Sequence, residues 1–433
     1  MKLLMPAEQA RIKWSESRFL RQVFGTYSTQ LIMAVLSMVS SVVIARALGP
    51  AGRGQYAVAI AIGLIGVQLG NFGLQSTNTY FVAKDRSLLP SLVGNALITS
   101  FVLGGLGAAA LATIFQSWPN APLHGRLLWL AAVWIPCGLA YLFFVNLFMG
   151  LMEVRLYNAM ELFNRVFSAV LIIAVVWAGA RAPETIFVAA LAALVISLSL
   201  TLWKLSHFCA APASPSFDLF RRNFQLGWKA YLSCLFAFLV IRIDLLMVRS
   251  MLGAAPAGYY SIAGTMADYV LLLPIGIATL LFPKLSGLHD DYKRRHITLK
   301  AMAGTGGGLL ALLILLGTTI KIVVAILFGK AFAPAAVAFL LLAPGVLFLG
   351  LETVLVQYLN SRGFPISVVI MWVATTIFNI AVNLWAIPTY GINGAAGVSS
   401  ISYLFALLGV SWIALFKGRP NVAERATAVA TNY

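Results

Sequence analysis

Charge is what this chain has least of. Only 10% of its 433 residues are Asp, Glu, Lys or Arg, against about 25% in an ordinary soluble domain, and 61% are hydrophobic. No water-soluble fold hides that much apolar surface, which excludes a soluble enzyme or binding module. The three cysteines, Cys137, Cys209 and Cys234, are too few and too scattered for a disulfide framework. The four histidines stand alone near span ends or in loops, so no metal site is expected. No Walker motif occurs, and GTGGG at 304–308 lacks the strand and the lysine of a phosphate-binding loop. Without a nucleotide site or a large soluble domain, the expected energy source is an ion gradient or a downhill substrate. The alternation of a membrane β-barrel is missing. No short apolar core with a small-residue cleavage site precedes Phe24, so the first residues do not read as a signal peptide.

Long apolar runs are what remains. A hydrocarbon core about 30 Å thick needs roughly 20 apolar residues per helix. Twelve stretches qualify, near 27–48, 56–83, 92–115, 127–150, 157–178, 184–206, 224–250, 258–284, 298–328, 333–358, 364–388 and 391–416. The expected fold class is an all-α polytopic membrane protein. The formal net charge of +17 would suggest nucleic acid in a soluble protein; here positive-inside bias accounts for it, and no nucleic-acid partner is expected. With a cytoplasmic N-terminus, 21 of the 30 Lys and Arg fall on the cytoplasmic side and seven, Arg46 and Arg53 among them, on the other. Both termini are then cytoplasmic. In residues 1–22, Trp14, Phe19 and Leu20 among basic residues read either as an interfacial helix on an anionic leaflet or as a disordered basic tail.

The chain also says nearly the same thing twice. RALGPAGRGQYAVA at 46–59 and SMLGAAPAGYYSIA at 250–263 share Leu48/Leu252, Gly49/Gly253, Ala51/Ala255, Gly54/Gly258, Tyr56/Tyr260 and Ala59/Ala263. Each copy follows one apolar run and opens another. The Pro/Ala/Ser-rich stretch HFCAAPASPSF at 207–217 separates six spans from six. The division expected is a basic segment 1–22, a six-helix bundle 23–206, a cytoplasmic linker 207–223, a second bundle 224–416 and a cytoplasmic tail 417–433. Six is even, so the repeat is parallel, and two like halves imply a cavity that moves between them. Pro136 in span four and Pro344 in span ten echo each other and suggest paired hinges. Gly66–Gly70, Gly104–Ala108 and Gly304–Gly308 have the small-xxx-small spacing of close helix packing.

A charge at mid-membrane costs roughly 2.5–3.5 kcal/mol on insertion scales, so such residues face protein or water. Arg242 and Asp244 in span seven point about 200° apart on a helix and need different partners. Asp244 reads as a coupling or gating carboxylate, Arg242 as a ligand for an anionic group, and a structural ion pair with other helices stays open. Glu161 and Arg165 in span five are four apart, either a self-neutralised pair or a cavity-facing arginine with a gating acid. Asp268 is a further candidate for coupling or gating, placed to meet Arg249 or Arg46. Glu352 has no partner in sequence and is a candidate protonatable group. Asn71, Asn78, Asn379 and Asn383 serve either as sugar contacts or as interhelical glue.

Three segments carry a family resemblance: ARALGPAGRGQYA after span one, RIDLLMVRSMLGAAPAGYYSIAGTMADYVLLLPIGIATLLFPKLSG across spans seven and eight, and FNIAVNLWAIPTYGINGAAGVSSISYL across the last two. They resemble polysaccharide repeat-unit flippases of the multidrug/oligosaccharidyl-lipid/polysaccharide exporter superfamily. The resemblance implies a transporter rather than an enzyme, two six-helix bundles in a V, and alternating access. It implies transfer of an undecaprenyl-pyrophosphate-linked oligosaccharide across the bacterial inner membrane, for surface polysaccharide such as lipopolysaccharide or exopolysaccharide. No bound cofactor is implied beyond a coupling proton or sodium ion. The partners implied are the lipid-linked oligosaccharide, membrane lipids, a polysaccharide polymerase and glycosyltransferases. The family's span-seven Asp falls on Asp244, where the first half has Ser40. Arg46, Arg165, Arg242 and Arg249 are the candidates for the pyrophosphate. A multidrug cation antiporter of the same superfamily, a peptidoglycan-precursor flippase and a membrane polymerase or ligase are the rival readings.

Overall fold

A computed structural model describes residues 16–209, 211–288 and 290–416. The expected basic segment lies mostly, and the 417–433 tail wholly, outside the described residues. Among those residues ten helices are long and apolar enough to cross a membrane. Two of them are broken by a glycine, which makes twelve crossings. Helix α1 (Glu16–Gly70) breaks at Gly49, where φ is 65° and ψ −176°, and Pro50 opens its second arm. Helix α12 (Ile366–Phe416) breaks at Gly391 in the same way. A side chain at such a φ meets its own backbone, so glycine is what lets the chain reverse there. After a turn at 71–73, α2 (Leu74–Lys84) completes the second crossing.

The third crossing is one rod made of α3 (Leu89–Leu97), a π-helical turn (Ile98–Leu103) and α4 (Gly104–Ser117). Helices α5 (Gly125–Gly150), α6 (Val154–Trp177) and α7 (Pro183–Ser206) finish the first half. The second half comprises α8 (Phe217–Leu252), α9 (Ala254–Ser286), α10 (Asp291–Leu327), α11 (Pro334–Asn360) and α12. Six turns lie on what we term the far side, opposite the linker, and each has a glycine at positive φ: Gly49, Gly125, Gly179, Gly253, Gly329 and Gly391. The prolines expected to be hinges, Pro136 and Pro344, lie inside uninterrupted α5 and α11. The breaks fall at the glycines instead. Gly49 and Gly391 hold positive φ with ψ of −176° and −145°, a region open essentially to glycine alone, and reverse the chain between crossings, whereas a proline removes one ladder hydrogen bond within a crossing.

Packing follows the small residues. A Cβ on Gly63, Gly66 or Gly70 would strike Trp134, Ile135 or Leu139, so α1 lies directly on α5. The 304–308 spacing behaves differently: Gly304 meets nothing and Gly308 only grazes Leu273. The two halves touch at two levels. On the far side the repeat motifs pack on each other, with a Cβ on Gly54 placed 1.9 Å from Ala254 O and one on Gly258 placed 2.0 Å from Pro50 O. Nearer the linker, Gly73 and Gly227 bring α2 and α8 together, Asn223 Nδ2 donates to Asn78 Oδ1 at 3.0 Å, and Tyr231 OH donates to Leu69 O at 2.7 Å.

The linker is pinned rather than free. Asn95 Nδ2 donates to Ser216 O and Asn95 Oδ1 accepts from Ser216 N, both at 2.9 Å, while Ser214 N donates to Pro90 O at 3.2 Å. Asn95 is buried, so Asn95→Ala strips two bonds from a protected strap and should cost about 2 kcal/mol locally. The expected result is faster proteolytic nicking within 207–216, with helix content unchanged by circular dichroism.

Candidate functional site

Between the halves lies a cleft of about 220 Å³, walled by α1, α8 and α9. Its polar lining comes from both halves: Arg53 and Tyr56 from the first, and Arg242, Tyr260, Ser261, Thr265 and Asp268 from the second. The rest is aliphatic, including Ile60, Leu64, Ile241 and Leu245. Arg242 donates to Asp268 at 2.9 Å, so the aspartate meets neither Arg249 nor Arg46 as expected. That expectation used chain distance along the helix, whereas the facing turn of α8 supplies the partner.

Arg53 is the residue that sequence reasoning missed, because it was counted with the far-side loop charges. It is only 7% exposed. Its Nη2 donates to Ser41 Oγ at 3.1 Å and to Thr265 Oγ1 at 3.4 Å, one hydroxyl from each half, while its Nε has no partner. No carboxylate among the described residues lies within ion-pair distance of it. A signal was available: in the repeat alignment, Arg53 is a charge standing opposite an alanine, Ala257. Arg165 is exposed on α6, and both it and Arg53 lie within electrostatic reach of Tyr269 on α9. Glu161 does not form an ion pair within 4.0 Å of Arg165; it sits by Tyr141 and feels the arginine at longer range.

A second polar cluster is buried within the second half. Asp244, 1% exposed, accepts from Asn383 Nδ2 at 2.9 Å, from Tyr260 OH at 3.1 Å and from Ser399 Oγ. Asn383 also donates to Asn379 Oδ1 at 3.2 Å, and Asn379 Nδ2 donates to Ser402 Oγ at 3.2 Å. Four helical segments thus converge on one carboxylate, α8, α9 and the two arms of α12, and no cation among the described residues forms an ion pair with it. Asn383 Oδ1 is buried with no hydrogen-bond donor. Asp244, Tyr260 and Ser399 present oxygens, and turning the Asn383 amide over would add its Oδ1, a set that suits a hard monovalent cation or a proton.

The other sequence candidates take structural posts. Arg46 caps α10, donating from Nε to Leu327 O at 2.8 Å and from Nη2 to Ile326 O. Its guanidinium is thus committed to carbonyls left open by a helix C-terminus. Arg249 does not line the cleft. Asn71 caps α2 through Gln75, and Asn78 holds Asn223, so neither faces the cleft as a sugar contact. Asn379 and Asn383 belong to the Asp244 cluster. Glu352 is buried in α11 with Oε1 unpartnered, away from the cleft lining.

The family model described as polysaccharide biosynthesis protein matches residues 19–289. A probable low-salt glycan biosynthesis flippase, Agl15 of Haloferax volcanii, is 22% identical over 223 residues, 51% of this chain and 47% of that protein. The match therefore spans about half the length of that curated relative. Among solved structures, a lipid II flippase, MurJ, in an inward closed conformation superposes with a TM-score of 0.70 at 13% identity, covering 90% of this chain and 87% of the other. An inward-facing multidrug resistance MATE family transporter of the MOP superfamily gives 0.67 at 14% identity, covering 88% and 93%. At these identities the two structures establish a shared fold.

Proposed function

The chain belongs to the polysaccharide biosynthesis protein family, and on that premise we propose that it flips an undecaprenyl-pyrophosphate-linked oligosaccharide from the cytoplasmic to the periplasmic leaflet of a bacterial inner membrane. The observation that carries this reading is Arg53, a buried cation without a carboxylate, lining a cleft between two halves alongside Arg242. Such a site favours a phosphate-bearing headgroup. An organic cation would meet repulsion there, which ranks the multidrug antiporter second. Each unpaired sugar hydroxyl moved into hydrocarbon costs several kcal/mol, so the glycan needs the polar cleft while the polyprenyl tail stays in lipid. Positive-inside bias puts the linker face in the cytoplasm, where glycosyltransferases would load the carrier and a polymerase would use it on the far side.

The Asp244 cluster is the proposed coupling site. A proton needs one oxygen, whereas the Asp244, Tyr260 and Ser399 oxygens, joined by Asn383 Oδ1 once its amide turns over, would suit a sodium ion. One charge moving through 100 mV contributes about 2.3 kcal/mol toward direction. Asp244→Asn removes the charge and turns an amide toward three donors. Ion-stimulated transport should fall at least about tenfold with membrane abundance unchanged. The test is reconstitution: a labelled polyprenyl-pyrophosphate oligosaccharide should change leaflets faster than in protein-free vesicles. Absence of movement, together with gradient-driven efflux of an organic cation, would make the chain an antiporter.

A further inference from the structure

A second cavity lies apart from both sites, at the linker-side end of the second half. It is a slot of about 220 Å³ between the first turns of α10 and the last turns of α12, floored by α11. Helix α11 packs on both neighbours, whereas α10 and α12 hardly touch, which leaves the slot open between them. Arg295, Leu299, Met302, Leu355, Tyr358 and Leu415 line it, and Arg295 is the sole charge in its lining. From Arg295 to Met302 is about 10 Å along a helix axis, so an apolar trough runs inward from a basic mouth. Trp412 and Phe416, 64% and 60% exposed in the last turns of α12, set that mouth at the level where aromatic side chains meet lipid headgroups.

The arginine at the mouth is uncommitted. Asp290 accepts from the backbone N–H groups of Tyr292 and Lys293. Asp291 Oδ2 accepts from Tyr358 OH at 3.1 Å, and its Oδ1 pairs with Arg362 at 3.5 Å. Both acids that open α10 are thus engaged elsewhere, and no carboxylate among the described residues lies within ion-pair distance of Arg295. We propose that the slot binds an anionic phospholipid, with the phosphate on Arg295 and one acyl chain lying between α10 and α12. Basic pockets between membrane helices at the cytoplasmic surface hold anionic lipid headgroups in this way. The aliphatic lining favours a lipid over a free phosphate. The 417–433 segment, whose Lys417, Arg419 and Arg425 outnumber Glu424, has the wrong sign for Arg295. The slot shares no residue with the cleft or the Asp244 cluster, so the inference does not depend on what the two halves carry.

The internal repeat supplies a contrast. Spans nine and twelve correspond to spans three and six, whose linker-side ends also leave a slot, between α3 and α7. There the chain provides its own wall: Ala211, Pro212 and Ala213 line the slot, and Ser214 N ties the strap to Pro90 O. No charged residue lines that slot, which suits an uncharged Pro/Ala/Ser strap. Among the described residues only helices line the second slot, and its arginine needs an anion from the bilayer.

The experiment uses the full chain in neutral detergent micelles. Labelled phosphatidylglycerol is displaced by unlabelled phosphatidylglycerol or by phosphatidylcholine with the same acyl chains. In wild type the anionic lipid should compete roughly fivefold better, the preference that one basic residue gives near a headgroup. Arg295→Gln, at an exposed position, should abolish that preference and leave the melting temperature in lipid-free detergent unchanged. Lys229→Gln, the same charge change at an exposed position on α8, should keep it. Ala414→Trp fills the slot and should remove saturable binding of both lipids. Equal competition by the two lipids in wild type would overturn the inference, and so would a preference that survives Arg295→Gln. Binding that appears only in Glu424→Gln would make the chain's own tail the occupant and overturn it. Geranyl pyrophosphate, the soluble probe for the cleft, gives the last control. If it displaced the phospholipid equally in wild type and Arg53→Gln, the slot would belong to the carrier and the inference would fall. A lipid preference that holds in a protein unable to bind this probe would support the slot and count against the flippase reading alone.

Discussion

Gly258→Ala should abolish transport without reducing the amount of protein in the membrane. A Cβ on Gly258 would stand 2.0 Å from the carbonyl oxygen of Pro50, and one on Gly54 only 1.9 Å from that of Ala254. Relaxed contacts between heavy atoms lie near 3.5–4.0 Å, so a single methyl group must drive the two backbones apart by about 1.5 Å. Neither obstacle is a flexible side chain that can turn aside. The contact is also reciprocal, each motif presenting its glycine to the other's first turn. The far side would then stay parted, and a carrier that cannot close one face cannot alternate. Paired cysteines placed on α1 and α9 near these glycines, in a background lacking Cys137, Cys209 and Cys234, should cross-link in the parent and not in the variant. Gly307→Ala, where nothing lies within 4 Å, should behave as the parent does. Parent-like transport by Gly258→Ala would show that this contact does not close the far side.

Arg53→Gln should make the protein more stable and useless. A buried guanidinium held by two hydroxyls, with Nε unpartnered, is a cost to the folded state. Removing its charge should raise the melting temperature in detergent. The same change removes the cation that no carboxylate offsets, and losing a buried charged donor typically costs 2–5 kcal/mol of binding. Affinity for geranyl pyrophosphate should fall roughly 30-fold or more by that measure. Arg53→Lys keeps the charge but lacks the planar, bidentate head that matches a phosphate, so it should bind with intermediate affinity. Arg46→Gln supplies the contrast: it uncaps α10, and should lower stability while leaving probe affinity alone. A fall in stability for Arg53→Gln with normal binding would make Arg53 a structural bolt.

The length of each apolar run made the crossings legible, since a hydrocarbon layer sets one helix length whatever the partners. The breaks at Gly49 and Gly391 were legible for a related reason, each being a glycine between two such runs. The repeat was legible as sequence, but not that its two copies lie against each other. The residues misjudged share one physical cause. A helix position fixes depth in the membrane, while the partner depends on how each helix is rotated about its own axis. Asp268 was assigned by depth to Arg249 or Arg46, and rotation gives it Arg242. Asn78 finds Asn223 and Asn383 finds Asp244 across more than a hundred residues of chain. Arg53 was misplaced for the converse reason: a helix that starts immediately after Gly49 carries inward a residue that span counting leaves in a loop.

The halves meet at two heights, Gly54 against Gly258 on the far side and Gly73 against Gly227 nearer the linker. Mechanically this is a pair of fulcrums with the cleft between them. Releasing one contact leaves the other as the pivot, and the lever arm is then most of a hydrocarbon core about 30 Å thick. A rigid rotation of about 15°, of the size seen between subunits in allosteric transitions, opens the free end by about 8 Å. That gap is wide enough for a sugar chain to pass lengthwise, while the closed pivot keeps the bilayer sealed behind it.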